Sequence, residues 1–149
     1  MDKHGIKIVD CKAFNSPVIY LELNLLFDNN TNMIDVTKEI GLDPISFKNK
    51  SEQMKSPFKD DNIEGYWSIK TEKFDTYYLE EVSKSIVEIV KPFLERIKTT
   101  LQKHNGTADF LIVTEFYPLD TPALNFNREF LNVVSFLSAT IQIDMYVND

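Results

Sequence analysis

The side chains that most often do chemistry are sparse here, carboxylates excepted. The chain carries two histidines (His4 and His104), one cysteine (Cys11) and 23 Asp plus Glu among 149 residues. A zinc site draws on clustered His, Cys, Asp or Glu at recognisable spacings. His4, Cys11 and His104 stand apart in the sequence, so no metal site is expected. A nucleophile pair of Cys11 with either histidine has no supporting signature around it, and Cys11 reads better as a half-buried strand residue. Four glycines make no phosphate-cradling loop, the nearest two being Gly41 and Gly65. Ser68 follows Trp67 but lacks the glycine elbow of a hydrolase serine. No catalytic residue and no cofactor are expected, and the reading leans away from an enzyme.

One constellation remains, and it depends on strands. Residues that alternate along a strand fall on opposite faces of the sheet. From Val18 to Phe27, Ile19, Leu21, Leu23, Leu25 and Phe27 point one way, while Tyr20, Glu22 and Asn24 point the other. The last stretch, Thr140 to Val147, repeats the pattern: Ile141, Ile143, Met145 and Val147 alternate with Gln142, Asp144 and Tyr146. Tyr66, Ser68 and Lys70 alternate with Trp67 and Ile69. Glu115 and Tyr117 close a further apolar stretch. If the apolar teeth face a common cover, the opposite face collects Tyr20, Glu22, Asn24, Tyr66, Glu115, Gln142, Asp144 and Tyr146. Tyrosines interleaved with carboxylates and amides suit a recognition surface, because they supply rigid amphipathic area with polar contacts. Two such carboxylates could also act as an acid/base pair if a cleft dried one of them. The plainer alternative is a solvated outer face whose side chains pair across strands for stability alone.

The elements that must position this face follow in order. Residues 6–13 could form a short leading strand, and Val18–Phe27 a strong one. Asp35 is expected to cap a short helix, Val36 to Ile40, with Gly41 just past its end and Pro44 preventing resumption. Residues 45–64 show little periodicity and read as a long loop. Gly65 to Thr71 reads as a strand with Trp67 as a core anchor. From about Thr76 to His104, Leu79, Val82, Ile86, Ile89 or Val90, Phe93, Ile97 and Leu101 recur at steps of three and four, the stripe of a long amphipathic helix. Pro92 should kink or break it, and Asn105-Gly106 should stop it. Asp109 to Tyr117 is a strand apolar on both faces in its first half. Asn127 can cap a helix from Arg128 to about Ser138, with Phe130, Leu131, Val134 and Leu137 inward. The final strand supplies Ile141, Ile143, Met145 and Val147 to the core. The expected fold class is α+β: one layer of mostly antiparallel sheet, about four to five strands, with helices packed on one face, forming one domain over residues 1–149.

Composition narrows the partners. Hydrophobic residues make up 43% of the chain, a globular rather than disordered composition. One cysteine excludes an internal disulfide and fits a reducing compartment. No stretch nears the roughly 18 apolar residues of a membrane span, and the first residues lack a signal-peptide pattern, so a cytoplasmic location is expected. The net charge of −7 repels polyanions, which argues for no nucleic acid and no membrane. A basic protein partner would be attracted, and a homo-oligomer is a further reading.

Three pieces together resemble the bacterial domain-of-unknown-function family 4279. They are Asp35-Val-Thr-Lys-Glu-Ile-Gly-Leu-Asp-Pro44, Tyr66-Trp67-Ser68-Ile69 before the long helix, and Ile143-Asp144-Met145-Tyr146. The resemblance spans about residues 17–147, and Ile45 stands where the family usually has Thr after the proline. It implies a small soluble bacterial protein and brings no established activity. The function expected from all this is a non-enzymatic protein-interaction module, an immunity protein against a toxin being one form of it. The alternative is a small-molecule-binding or hydrolytic domain using carboxylates of the same face.

Overall fold

The structure is a computed structural model that describes residues 15–28, 30–49 and 65–149. The first predicted strand, over residues 6–13, lies outside the described residues, as do His4 and Cys11. Strand β1 (Val18–Phe27) alternates half-buried and buried along its whole length. Its neighbours flank it on both sides. Helix α1 (Met33–Ile40) follows, then β2 (Ser46–Lys48), β3 (Gly65–Lys70) and β4 (Phe74–Asp75). Next come α2 (Leu79–Val90), a 3-10 turn (Lys91–Phe93), α3 (Leu94–Lys103), β5 (Thr107–Phe116), α4 (Arg128–Phe136) and β6 (Thr140–Val147).

The fold is α+β, an open mixed sheet of six strands among the described residues, in the order β2-β3-β1-β5-β6, with β4 also pairing to β1. Each pairing is antiparallel except β5 with β6. A parallel pair requires a crossover rather than a tight turn, and the segment holding α4 supplies it. The helices cover one face. Trp67, Phe27, Phe110 and Phe130 are fully buried there, among Leu21, Leu23, Leu25, Leu79, Val82, Ile86 and Ile97. Each such aliphatic side chain contributes about 1.5–3 kcal/mol of transfer free energy. The Trp67 indole N–H donates to Thr37 Oγ1 at 3.1 Å, which ties β3 to α1 and satisfies the one polar atom of that side chain.

Local signals explain the element ends. Gly41 takes the left-handed conformation (φ 79°) that closes α1. Pro92 falls in the 3-10 turn and divides the long amphipathic stretch into α2 and α3. Asn127 caps α4 by accepting from Phe130 N–H at 2.8 Å. Asn105 turns the chain at φ 51°, and a Cβ on Gly106 would overlap the ring of Phe27. Glycine is needed there for close approach.

Four expectations are corrected. Asn32, not Asp35, caps α1: its Oδ1 accepts from Ile34 N–H at 2.9 Å, so the helix begins at Met33 and Asp35 sits in its first turn. Ser46–Lys48, read as loop, is a short edge strand against β3, while residues 50–64 lie outside the described residues. On α4 the inward residues are Phe130, Val133 and Leu137, with Val134 half-buried and Leu131 exposed. The largest correction concerns β6. Ile141 is half-buried against the core, but Ile143 is 38% exposed and Met145 and Val147 are each 56% exposed. They do face the helix side, opposite Ile112, Thr114 and Phe116. β6 is simply the sheet's edge, and the helical cover ends before reaching their side chains.

Candidate functional site

Register decides what the face opposite the helices brings together. Paired residues on neighbouring strands share a face. Val18, Glu115 and Tyr146 form one row; Tyr20, Val113 and Asp144 the next; Lys70, Glu22, Leu111 and Gln142 a third; and Ser68, Asn24, Asp109 and Thr140 a fourth. Tyr66 lies opposite Leu26 at the far end. All eight candidate residues therefore fall on one face. They divide into two ends with different character.

At the Asn24 end the polar groups satisfy one another. Ser68 Oγ donates to Asn24 Oδ1 at 2.6 Å, and Thr140 Oγ1 donates to the largely buried Asp109 at 2.7 Å. These are cross-strand bonds that hold the sheet, and Asn24 is occupied by one of them. Tyr66 stands beyond this row, apart from the other tyrosines.

At the Tyr20 end charged groups gather instead. Burial, and then the charges of Glu22, Glu115, Tyr146 and Asp144, push the Tyr20 phenol above its usual 10.0. A phenol that senses four neighbours from three strands marks the centre of the cluster. Tyr146 is 55% exposed beside it. The residues between are apolar: Leu111 is half-buried and Val113 is 4% exposed although it points away from the helices. Tyr20 and Asp144, its direct cross-strand neighbours, flank it. The surface thus offers the half-buried Leu111 of β5 among tyrosines and carboxylates; tyrosine is enriched in interfaces, whereas carboxylates belong to their polar rim.

Lys73 completes the cluster, and sequence reasoning missed it. Its Nζ is 3.8 Å from Glu115 Oε1 and 5.5 Å from the centroid of the Tyr20 ring. It reaches them because the chain bulges after β3 and rejoins β1 at Phe74, opposite Ile19. The bulge shifts the alternation from odd to even residues, and that slip between Ile69 and Phe74 was the available signal. Past Glu115 the face drops into a cleft of 490 Å³ lined by Asn15, Ser16, Val18, Asp75, Glu115, Tyr117 and Asn148. Tyr117, read as joining the face, stands in this cleft.

Elsewhere, His104 is not isolated as its sequence position suggested. It lies at the end of α3 with Nε2 2.9 Å from Glu39 Oε2, and its ring meets Phe27 edge-on. Among the described residues no group of three or more His, Cys, Asp or Glu could hold a metal ion, and no helix is long and apolar enough to cross a membrane.

No curated protein and no solved structure matches the chain. A family described as "Domain of unknown function (DUF4279)" matches residues 19–148, from the second residue of β1 to the residue after β6. It takes in every strand of the candidate face and the whole helical cover. The chain belongs to this DUF4279 family.

Proposed function

We infer that this is a bacterial, cytoplasmic, non-enzymatic interaction module that binds a basic protein through the Tyr20 end of its outer sheet face. The single observation carrying the reading is the cluster of Tyr20, Glu22, Glu115, Asp144 and Tyr146 on one face of three strands, since it joins rigid aromatic area to concentrated negative charge. A chain of net charge −7 would steer a positively charged partner toward such a face. A small acidic protein that occludes a basic toxin, an immunity protein, fits this chemistry. Affinity capture from the native host with wild type and a Tyr20→Ala/Asp144→Ala variant tests it. The expected result is a partner retained by wild type, lost by the variant and weakened by salt. Capture of no partner, or a complex indifferent to both substitutions, would overturn it.

The cleft beside Asp75 and Glu115 favours a second reading, a small polar or cationic ligand held by those carboxylates, with binding or hydrolysis as its purpose. Asp75→Asn would then abolish ligand binding while leaving protein capture intact.

A further inference from the structure

Among the described residues the sheet has two edge strands, β2 and β6, and they differ in kind. β2 is three residues long, and a very short edge offers little to pair with. β6 runs for eight residues in unbroken register with β5. It contains no lysine or proline, the residues most used by natural edge strands against pairing, and its one charged side chain is Asp144. Its apolar teeth emerge from the helical cover toward the C-terminal end, as the exposures of Ile143, Met145 and Val147 show.

The backbone has a phase that matches these teeth. Asn148 N–H donates to the carbonyl of Phe116 at 2.8 Å, so the even-numbered residues of β6 turn their backbone groups toward β5. In a strand the N–H and C=O of one residue point to the same side, and successive residues alternate. Ile143, Met145 and Val147 therefore direct their N–H and C=O away from the sheet. Among the described residues, the same three present backbone groups with no strand partner at the edge, and exposed apolar side chains on one face.

We propose that β6 pairs antiparallel with β6 of a second copy of this chain, about a twofold axis through Met145. Met145 then faces Met145, and Ile143 faces Val147, as hydrogen-bonded pairs in which both partners have outward backbone groups. Asp144 faces Tyr146 on the other side, a carboxylate against a phenol. Competing registers are worse. A one-residue slip sets apolar teeth against polar ones. An axis through Asp144 puts two carboxylates directly opposite each other. An axis through Ile143 uses the half-buried Ile141 and leaves Val147 facing Ala139, outside the strand. Only the Met145 axis covers the three exposed teeth with one another.

The pairing joins the two sheets into one, with both helical layers on one side and both Tyr/carboxylate faces on the other. The proposal does not depend on the partner reading above, and salt separates the two. Each copy carries −7, so salt should strengthen the pairing by screening repulsion, whereas it should weaken capture of a basic protein.

Sedimentation of the full chain from low to high micromolar concentration, at two salt concentrations, is the test. The expected result is a reversible dimer, favoured by salt, that Met145→Lys converts to monomer without loss of circular dichroism signal and that Tyr20→Ala leaves intact. Met145→Cys in a Cys11→Ser background should form a cross-linked dimer under mild oxidation far faster than Asp144→Cys. A dimer that persists in Met145→Lys overturns the proposal. So does a wild-type monomer; slow amide exchange at Ile143, Met145 and Val147 in that monomer would assign the edge to a segment of the chain itself.

Discussion

Glu39 Oε2 lies 2.9 Å from His104 Nε2, and its other carboxylate oxygen takes the Lys103 ammonium at 2.6 Å. These contacts tie α1 to the end of α3 across more than sixty residues of sequence. The Lys103 hydrogen bond, partly opposed by burial and aided by His104, holds the Glu39 carboxyl below its ordinary 4.5. A carboxyl whose folded value is depressed binds its proton less tightly in the native state than in the unfolded one. Its contribution is thus present above pH 4.5 and lost as pH falls through the folded value. Lys103 is 62% exposed, which screens the pair, and such pairs contribute about 0.2–1 kcal/mol. Glu39→Gln should lower the Tm by about 1–3 °C near neutral pH. The deficit should shrink below pH 4.5 and in high salt, as thermal melts across pH would show. A deficit independent of pH would mean that Glu39 acts through packing.

The Tyr20 cluster has its own titration. Because burial and the surrounding negative charges raise the phenol above 10.0, the native state holds that proton more tightly than the unfolded chain. The associated stability is present below pH 10.0 and lost as pH rises through the folded value. Difference absorbance of wild type against Tyr20→Phe isolates this phenolate. Glu22→Gln, and separately Asp144→Asn, should bring its titration down toward 10.0, with Glu22 the larger effect. If neither substitution moves it, the carboxylates of the three strands do not act on Tyr20 as one group.

Thr114 offers a stabilising change. Its side chain is fully buried on the helix side of β5, and its Oγ1 has no hydrogen-bond partner among the described residues. An unpaired buried hydroxyl costs about 1–3 kcal/mol, so a nearly isosteric apolar residue should remove that penalty. Thr114→Val is expected to raise the Tm by about 2–4 °C. A fall in Tm would show that the hydroxyl is paired after all.

Alternation was the most legible feature of the sequence, and the molecule shows what it carries. Period two places a side chain on a face, so the membership of Tyr20, Glu22, Glu115, Asp144 and Tyr146 in one surface could be read before any strand order was known. It does not say where along a sheet a strand lies. β1 and β6 have nearly the same apolar rhythm, yet Leu21 is enclosed and Val147 is 56% exposed. The helical stripe, the break at Pro92 and the Asn127 cap were legible because each depends on residues within a few turns. Glu39 with His104 and Lys73 with Tyr20 were not, because those contacts depend on docking and on a bulge. Asn32 and Asp35 are both good capping residues, and local sequence does not separate them; the helix starts at Met33, whose side chain is buried in the core.

The contrast between β1 and β6 can be measured directly. Leu21 and Val147 belong to two strands of the same rhythm, and both face the helix side. Leu21 is fully buried, and Leu21→Ala should cost about 2–5 kcal/mol through lost transfer energy and the cavity left behind. Val147 keeps over half its surface in water, and Val147→Ala should stay within about 0.5 kcal/mol. Urea denaturation at low protein concentration, where self-association through β6 would contribute little, measures both. Raising the protein concentration should then leave the Leu21→Ala deficit unchanged while the Val147→Ala deficit grows, because only Val147 loses contacts that a second copy would make. A large Val147→Ala cost already present at low concentration would mean that part of the same chain covers the strand.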